Sequence, residues 1–187
     1  MRLRPEDRHA QLVDVGAALF AVEPYDDVLM EHVAERAGIS RALLYRHFSS
    51  KRDLFTAVHQ RAVAQLLADT AAITSGTLEE QLAAGIDVHI DYFVANRNLV
   101  LAANRVLAGD PGVQAVVHGE LAVQRDRLLA AAGLSGPLAA AAVVAWQGFV
   151  RSMCVEWLAH QAFGRVELRD LCVRALVGAL ELSRTNP

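Results

Sequence analysis

Apolar residues recur at intervals of three and four along the chain, and no stretch sustains the period-two alternation of a half-buried strand. The pattern predicts helices throughout. The first covers about Glu6 to Val22, with Leu12, Val15, Ala18 or Leu19, and Val22 on one side. Pro24 ends it, because a proline disfavours helical geometry in the residue before it. A short helix over about Leu29 to Ala37 buries Met30, Val33 and Ala37, and Gly38 stands where a left-handed stop is needed. Ser40 caps a second short helix, Arg41 to Phe48. A long helix follows from Lys51 to about Ile73, opened by Ser50-Lys51-Arg52-Asp53, a capping box with a shortened acid. Beyond Thr74-Ser75-Gly76, helices are predicted over 78–96, 98–108, 111–132, 138–163 and 167–183. The breaks at 109–112, 133–137 and 164 hold the expected stop residues.

With 53% hydrophobic and 21% charged residues, the chain has ample material for a core. Two cysteines, Cys154 and Cys172, match neither a disulfide scaffold nor a zinc ligand set and suit a reducing cytoplasm. No apolar stretch follows Met1-Arg2-Leu3-Arg4, so no signal peptide is expected. The 23 uncharged residues between Arg127 and Arg151 are interrupted by Gly133, Ser135, Gly136 and Pro137, and they read as two helices meeting at a turn, not as a membrane span.

The net charge of −3 argues on average against a nucleic-acid partner, but the charges are not evenly spread. From Glu23 to Glu35 there are five acids and no base; from Arg36 to Arg52 there are five bases and no acid. The basic block coincides with the short helix, glycine turn and short helix over 29–48, the layout of a helix-turn-helix whose second helix enters the major groove of DNA. At about 100° per residue, Leu44 and Phe48 fall on one side of that second helix. Arg41, Ala42, Tyr45 and Arg46 fall on the other. Arginine is the commonest reader of guanine edges, and Ala42 can approach a thymine methyl. Lys51 is the only lysine among 18 basic residues. It sits in a first helical turn, where its charge opposes the helix dipole unless it shares a phosphate with the free N–H groups there. A solvated basic face is the alternative, and the turn, cap and helical phase weigh against it.

Leu19-Phe20 and the run Val33-Ala34-Glu35-Arg36-Ala37-Gly38-Ile39-Ser40-Arg41-Ala42-Leu43-Leu44-Tyr45-Arg46-His47-Phe48-Ser49-Ser50-Lys51-Arg52-Asp53-Leu54 resemble the N-terminal region of TetR-family transcriptional regulators. The resemblance implies an all-α homodimer with an N-terminal three-helix DNA-binding domain (residues 1–61) and a C-terminal helical ligand-binding and dimerisation domain (62–187). It implies binding to a palindromic operator, usually as a repressor, with release by a small hydrophobic ligand. By position, Arg41, Ala42, Leu43 and Arg46 would face the groove, while Tyr45, His47 and Lys51 would hold phosphates; Arg36 and Ser40 complete the candidate DNA-binding set. Leu29 stands where the family usually has a capping threonine, so that contact is expected to be lost.

In the C-terminal part, the 138–163 and 167–183 helices carry more apolar surface than one stripe, and they could pair with their copies as a four-helix bundle. The same two helices form the seam in the family. Candidate interface residues are Val155, Leu158, Leu168, Leu171, Cys172, Ala175, Leu176 and Ala179, with ordinary internal core as the alternative. His89 interrupts the stripe Leu82, Ile86, Ile90, Phe93, and Gln124 interrupts Val113, Val117, Leu121, Leu128. Polar groups placed in an apolar setting are the make-up of a small-molecule site, and His89, Phe93, Gln124, Trp146, Phe149 and Met153 are the candidate ligand residues. A core polar group satisfied by backbone is the competing reading. The seven histidines form no metal-binding spacing, and no nucleophile elbow, P-loop or dinucleotide fingerprint is present. Neither metal, cofactor nor catalysis is expected. A helical enzyme is thus a remote alternative, and a ligand-independent DNA-binding or adaptor protein of the same fold a nearer one.

Overall fold

A computed structural model describes residues 4–184, with side chains described as far as Glu181; Met1 to Leu3 of the N-terminal reading lie outside the described residues. These are helices α1 (Pro5–Val22), α2 (Met30–Arg36), α3 (Arg41–His47), α4 (Lys51–Ala71), α5 (Leu78–Ala95), α6 (Arg97–Leu101), α7 (Pro111–Ala132), α8 (Pro137–His160) and α9 (Arg165–Arg184). A π-helical turn, Ala102–Val106, follows α6. No strand occurs among the described residues. The fold is all-α, as expected.

Two compact units form. Unit 1 comprises the described residues up to Ala64 together with Asn96–Val116, and unit 2 comprises Gln65–Ala95 with the described residues from Val117 on. Division at residue 61 or 62 thus leaves out the segment around α6. Its Leu99, Ala102 and Ala103 join Leu12, Leu19, Phe20, Val28, Val33, Leu44, Phe48, Leu54 and Phe55 in the core of unit 1. Asn98 donates to the Ala21 carbonyl at 3.2 Å, tying α6 to the end of α1.

In unit 1, α1 starts at Pro5, where the absent N–H is no loss. Its buried face is Leu12, Val13, Gly16, Leu19 and Phe20, rotated from the predicted stripe; Val22 is 70% exposed. Gly16 is the reason: a Cβ there would meet the Leu54 side chain at 3.1 Å, so α1 and α4 touch through a glycine. Phe20, Tyr25 and Phe55 lock the centre, with Phe55 edge-on to both partners at 5.2 Å between ring centroids.

In unit 2, α5, α8 and α9 pack around Leu82, Ile86, Ile90, Phe93, Val143, Trp146, Val150, Cys154, Leu158, Leu168, Cys172 and Leu176. α8 continues through Arg151 to His160. By length and composition it is long and apolar enough to cross a membrane, and seven of its residues are buried within this unit. A reciprocal capping box opens α5. Thr77 N–H donates to Glu80 at 2.7 Å, and Glu80 N–H donates to Thr77 Oγ1 at 3.2 Å.

Candidate nucleic-acid interface and interior polar cluster

The helix-turn-helix forms as its residues dictate. Gly38 adopts φ +66°, its N–H reaches the Glu35 carbonyl at 3.0 Å, and the Ile39 N–H reaches the Ala34 carbonyl at 3.0 Å. This pair of bonds closes α2. Ser40 Oγ accepts the Leu43 N–H at 3.3 Å and caps α3. Leu29 begins α2 without a side-chain cap, as its apolar side chain requires. Leu44 and Phe48 are buried, at 0% and 4% exposure, and hold α3 on the core. Arg41, Ala42, Tyr45 and Arg46 are exposed, as are Arg36 and Ser40, whereas Leu43 and His47 are half-buried. Side chains of the kinds suited to base edges therefore face outward from a helix fixed on its other side.

The charges around this face are more organised than their order in the chain suggests. Arg41 Nη2 lies 2.6 Å from Glu31 Oε1, so one member of the acidic stretch folds back on α3. Arg52 pairs with Asp110 at 3.1 Å, and Asp110 also accepts the Val113 N–H at 3.0 Å to open α7. Lys51 is engaged inside unit 1: its Nζ donates to the Tyr25 carbonyl at 2.7 Å and the Asp26 carbonyl at 3.2 Å, and lies 4.4 Å from the Tyr25 ring centroid. The opposition to the helix dipole is thus offset by two carbonyls of the α1–α2 connection. Among the described residues, no carboxylate lies within ion-pair distance of Arg36 or Arg46. The capping box at α4 forms by half. Ser50 Oγ accepts the Asp53 N–H at 3.1 Å, while the Asp53 carboxylate takes the Ser49 hydroxyl, which lowers its pKa.

In unit 2, His89 and Gln124 belong to one polar cluster. Glu120 accepts from Gln124 Nε2 at 3.1 Å and lies 3.9 Å from His89 Nε2, and the His89 ring sits 5.1 Å from that of Phe93. Tyr92 of α5 and Arg151 of α8 bear electrostatically on the same carboxylate. Burial pushes the Glu120 carboxyl up to about 7, against the opposing pull of Arg151 and Gln124. Burial, helped by the Arg151 charge, brings the His89 imidazole down to about 4. Burial likewise raises the Tyr92 hydroxyl and lowers Arg151. Glu120, Tyr92 and Arg151 escaped the sequence reading, although Glu120 stands at helical spacing between Val117 and Gln124 on one buried face.

The other candidates are sorted by burial. Trp146 is buried and donates to the Cys172 carbonyl at 2.7 Å, pinning α8 to α9. Met153 is half-buried. Phe149 is 36% exposed, which sets it apart from the interior candidates. Of the proposed seam, Leu158, Leu168, Cys172 and Leu176 have exposures of 4%, 0%, 0% and 1%, so they form the unit's own core and are corrected from interface to core. Leu171 is 47% exposed, Ala175 is exposed, and Val155 and Ala179 are half-buried.

Residues 12–58 match the sequence model of the family described as bacterial regulatory proteins, tetR family. The chain is 34% identical over 93 residues to the HTH-type transcriptional activator FasR of Mycolicibacterium smegmatis; the match covers 49% of this chain and 42% of that protein. The chain therefore spans less than half the length of that relative. In structure it is similar to a tetR-family transcriptional regulator from Streptomyces coelicolor, with a TM-score of 0.85 at 24% identity over 99% of this chain and 85% of the other. It is also similar to FadR of Bacillus subtilis in complex with stearoyl-CoA, with a TM-score of 0.72 at 17% identity over 91% and 98%. The helix-turn-helix segment is thus similar to the DNA-binding regions of tetR-family regulators, and the all-α scaffold around it has the same fold as solved structures of such regulators.

Proposed function

We propose that the protein is a sequence-specific transcriptional regulator that binds a palindromic operator as a homodimer and is released by a small, largely apolar ligand. The observation that carries the DNA-reading part is the exposed row of Arg41, Ala42, Tyr45 and Arg46 on a capped helix whose other side is buried. Arg41, Ala42, Leu43 and Arg46 read bases, while Arg36, Ser40, Tyr45 and His47 contact the backbone. The ligand enters unit 2 beside His89, Phe93 and Gln124, with Glu120, Tyr92 and Arg151 meeting its polar end. Support comes from the buried polar cluster and from a solved structure of the same fold that holds stearoyl-CoA. The ligand must bind the DNA-free form more tightly, since equal affinity for both forms shifts nothing. Repression is the reading we adopt for its direction. The similarity of half the chain to an activator favours activation as the second reading.

Selection of duplexes from a random pool tests the DNA reading. Recovery of an inverted repeat supports it, and absence of any retarded duplex at low ionic strength ends it. Arg46→Ala is expected to relax preference at one position of each half-site, at a cost of about 1–3 kcal/mol.

A further inference from the structure

We propose that Glu31 is a positioning residue for base reading: from α2 it holds the Arg41 guanidinium so that the remaining edge of that fork is presented to DNA. The proposal rests on the DNA-reading role of α3 given above. Glu31 stands in the first turn of a helix seated in the core by Met30, Val33 and Ala34. Arg41 is the first residue of α3, next to the Ser40 cap. The Gly38 turn fixes one helix against the other through the Ile39–Ala34 hydrogen bond of 3.0 Å, so the backbone that carries Glu31 is held in register with the backbone that carries Arg41.

The approach is made at the Nη2 end of the Arg41 fork, 2.6 Å from Glu31 Oε1. A guanidinium carries five N–H donors in a fixed fork, and a guanine edge takes two of them. The donors left over are therefore sufficient for bidentate reading while Glu31 keeps its hold. An arginine at a helix start is opposed by the dipole and, on its long stem, would have to be ordered on binding. Glu31 offsets the first and accomplishes the second before DNA arrives. Arg46, on the same exposed face, has no such carboxylate among the described residues and serves as the internal control. An acid near a DNA-facing helix otherwise only repels phosphate, so its place here calls for a compensating role.

The test compares Glu31→Ala with Glu31→Gln, each alone and combined with Arg41→Ala. Affinity is measured for the selected operator and for duplexes substituted at the base pair that Arg41→Ala identifies. Circular dichroism checks that the variants are folded; both side chains are largely solvent-facing, at 45% and 62% exposure. Glu31→Ala is expected to lower preference at that base pair by about three- to tenfold. It should leave the Arg46-dependent position alone. Glu31→Gln should keep the preference, because its amide oxygen still accepts from Arg41, and neither variant should alter preference in the Arg41→Ala background. If Ala and Gln strengthen binding to every duplex alike, Glu31 is a repelling charge and the proposal fails. If Arg41→Ala leaves base preference intact while Arg46→Ala changes it, the proposal falls and the DNA reading stands. If the unaltered protein retards no duplex, both fall.

Discussion

The Lys51 ammonium spends two of its donors on the Tyr25 and Asp26 carbonyls, which joins the start of α4 to the connection between α1 and α2. Charge-assisted bonds of this kind contribute more to folding than neutral ones. Lys51→Met is therefore expected to lower the stability of the protein by about 1–2 kcal/mol, read from the urea midpoint. The slope of operator affinity against salt should stay close to that of the unaltered protein. A slope reduced by about one with stability unchanged would make Lys51 a phosphate ligand after all. His89 and Glu120 carry a second prediction. The unfolded chain titrates these groups near 6.5 and 4.5, the folded chain near 4 and 7. Between 4.5 and 6.5 each state holds one proton on the pair, on histidine when unfolded and on glutamate when folded, so the pair adds no slope to stability against pH. Removing either partner uncovers the other. In Glu120→Gln the depressed imidazole acts alone, and stability should drop as pH falls from 6.5 towards 4. In His89→Gln the raised carboxyl acts alone, and stability should drop as pH rises from 4.5 towards 7. Urea midpoints across this range decide, and slopes of the same sign in both variants would refute the pairing.

At the scale of elements, the short helices were the most legible because each boundary is set by one or two local residues. Gly38 takes the left-handed geometry that its place after α2 demands, with open space around it, so a side chain there meets only backbone strain. Gly38→Ala should cost about 1–2 kcal/mol in thermal or urea unfolding, with Gly38→Asn milder because asparagine tolerates this geometry. A neutral Gly38→Ala would mean that the turn relaxes and that α3 is not held as described. Where sequence reading fell short, the cause lay in contacts between elements. Gly16 gave no apolar signal, yet its missing side chain lets Leu54 approach and rotates the buried face of α1 towards Val13 and Phe20. The helix expected over 98–108 breaks into α6 and a π-turn, closed by the Leu107 N–H on the Ala102 carbonyl at 2.8 Å, and an alanine-rich run carries no mark of that change. His89 and Gln124 were legible as polar interruptions of apolar stripes. Glu120 and Arg151 were not, because a charge in sequence reads as solvent-facing until three helices are seen to surround it.

For the molecule as a whole, a net charge of −3 tells less about the partner than the placement of the basic block, and the same contrast between average and surface bears on self-association. On α9, Leu168, Cys172, Leu176 and Leu180 repeat at four and turn inward, leaving Leu171, Ala175 and Gly178 outside. On α8, Ala141, Ala145, Gly148 and Ser152 form an exposed row of small residues beside Val144 and Phe149, which are 52% and 36% exposed. Small side chains allow two helices to approach closely, and flanking apolar groups supply area removed from water. If the protein pairs as proposed, the seam is expected on these residues and not on the buried ones. Leu171→Arg and Phe149→Arg should each yield particles of about 20.2 kDa by light scattering, with the helical signal retained. A lone subunit engages one half-site, so affinity for the full palindrome should fall to that for a single half-site, and its slope against salt should be about halved. Leu176→Ala should instead lower stability by about 2–5 kcal/mol through the cavity it leaves, with subunit association in the folded fraction unchanged. Persistence of the doubled mass in both arginine variants would move the seam elsewhere on the surface.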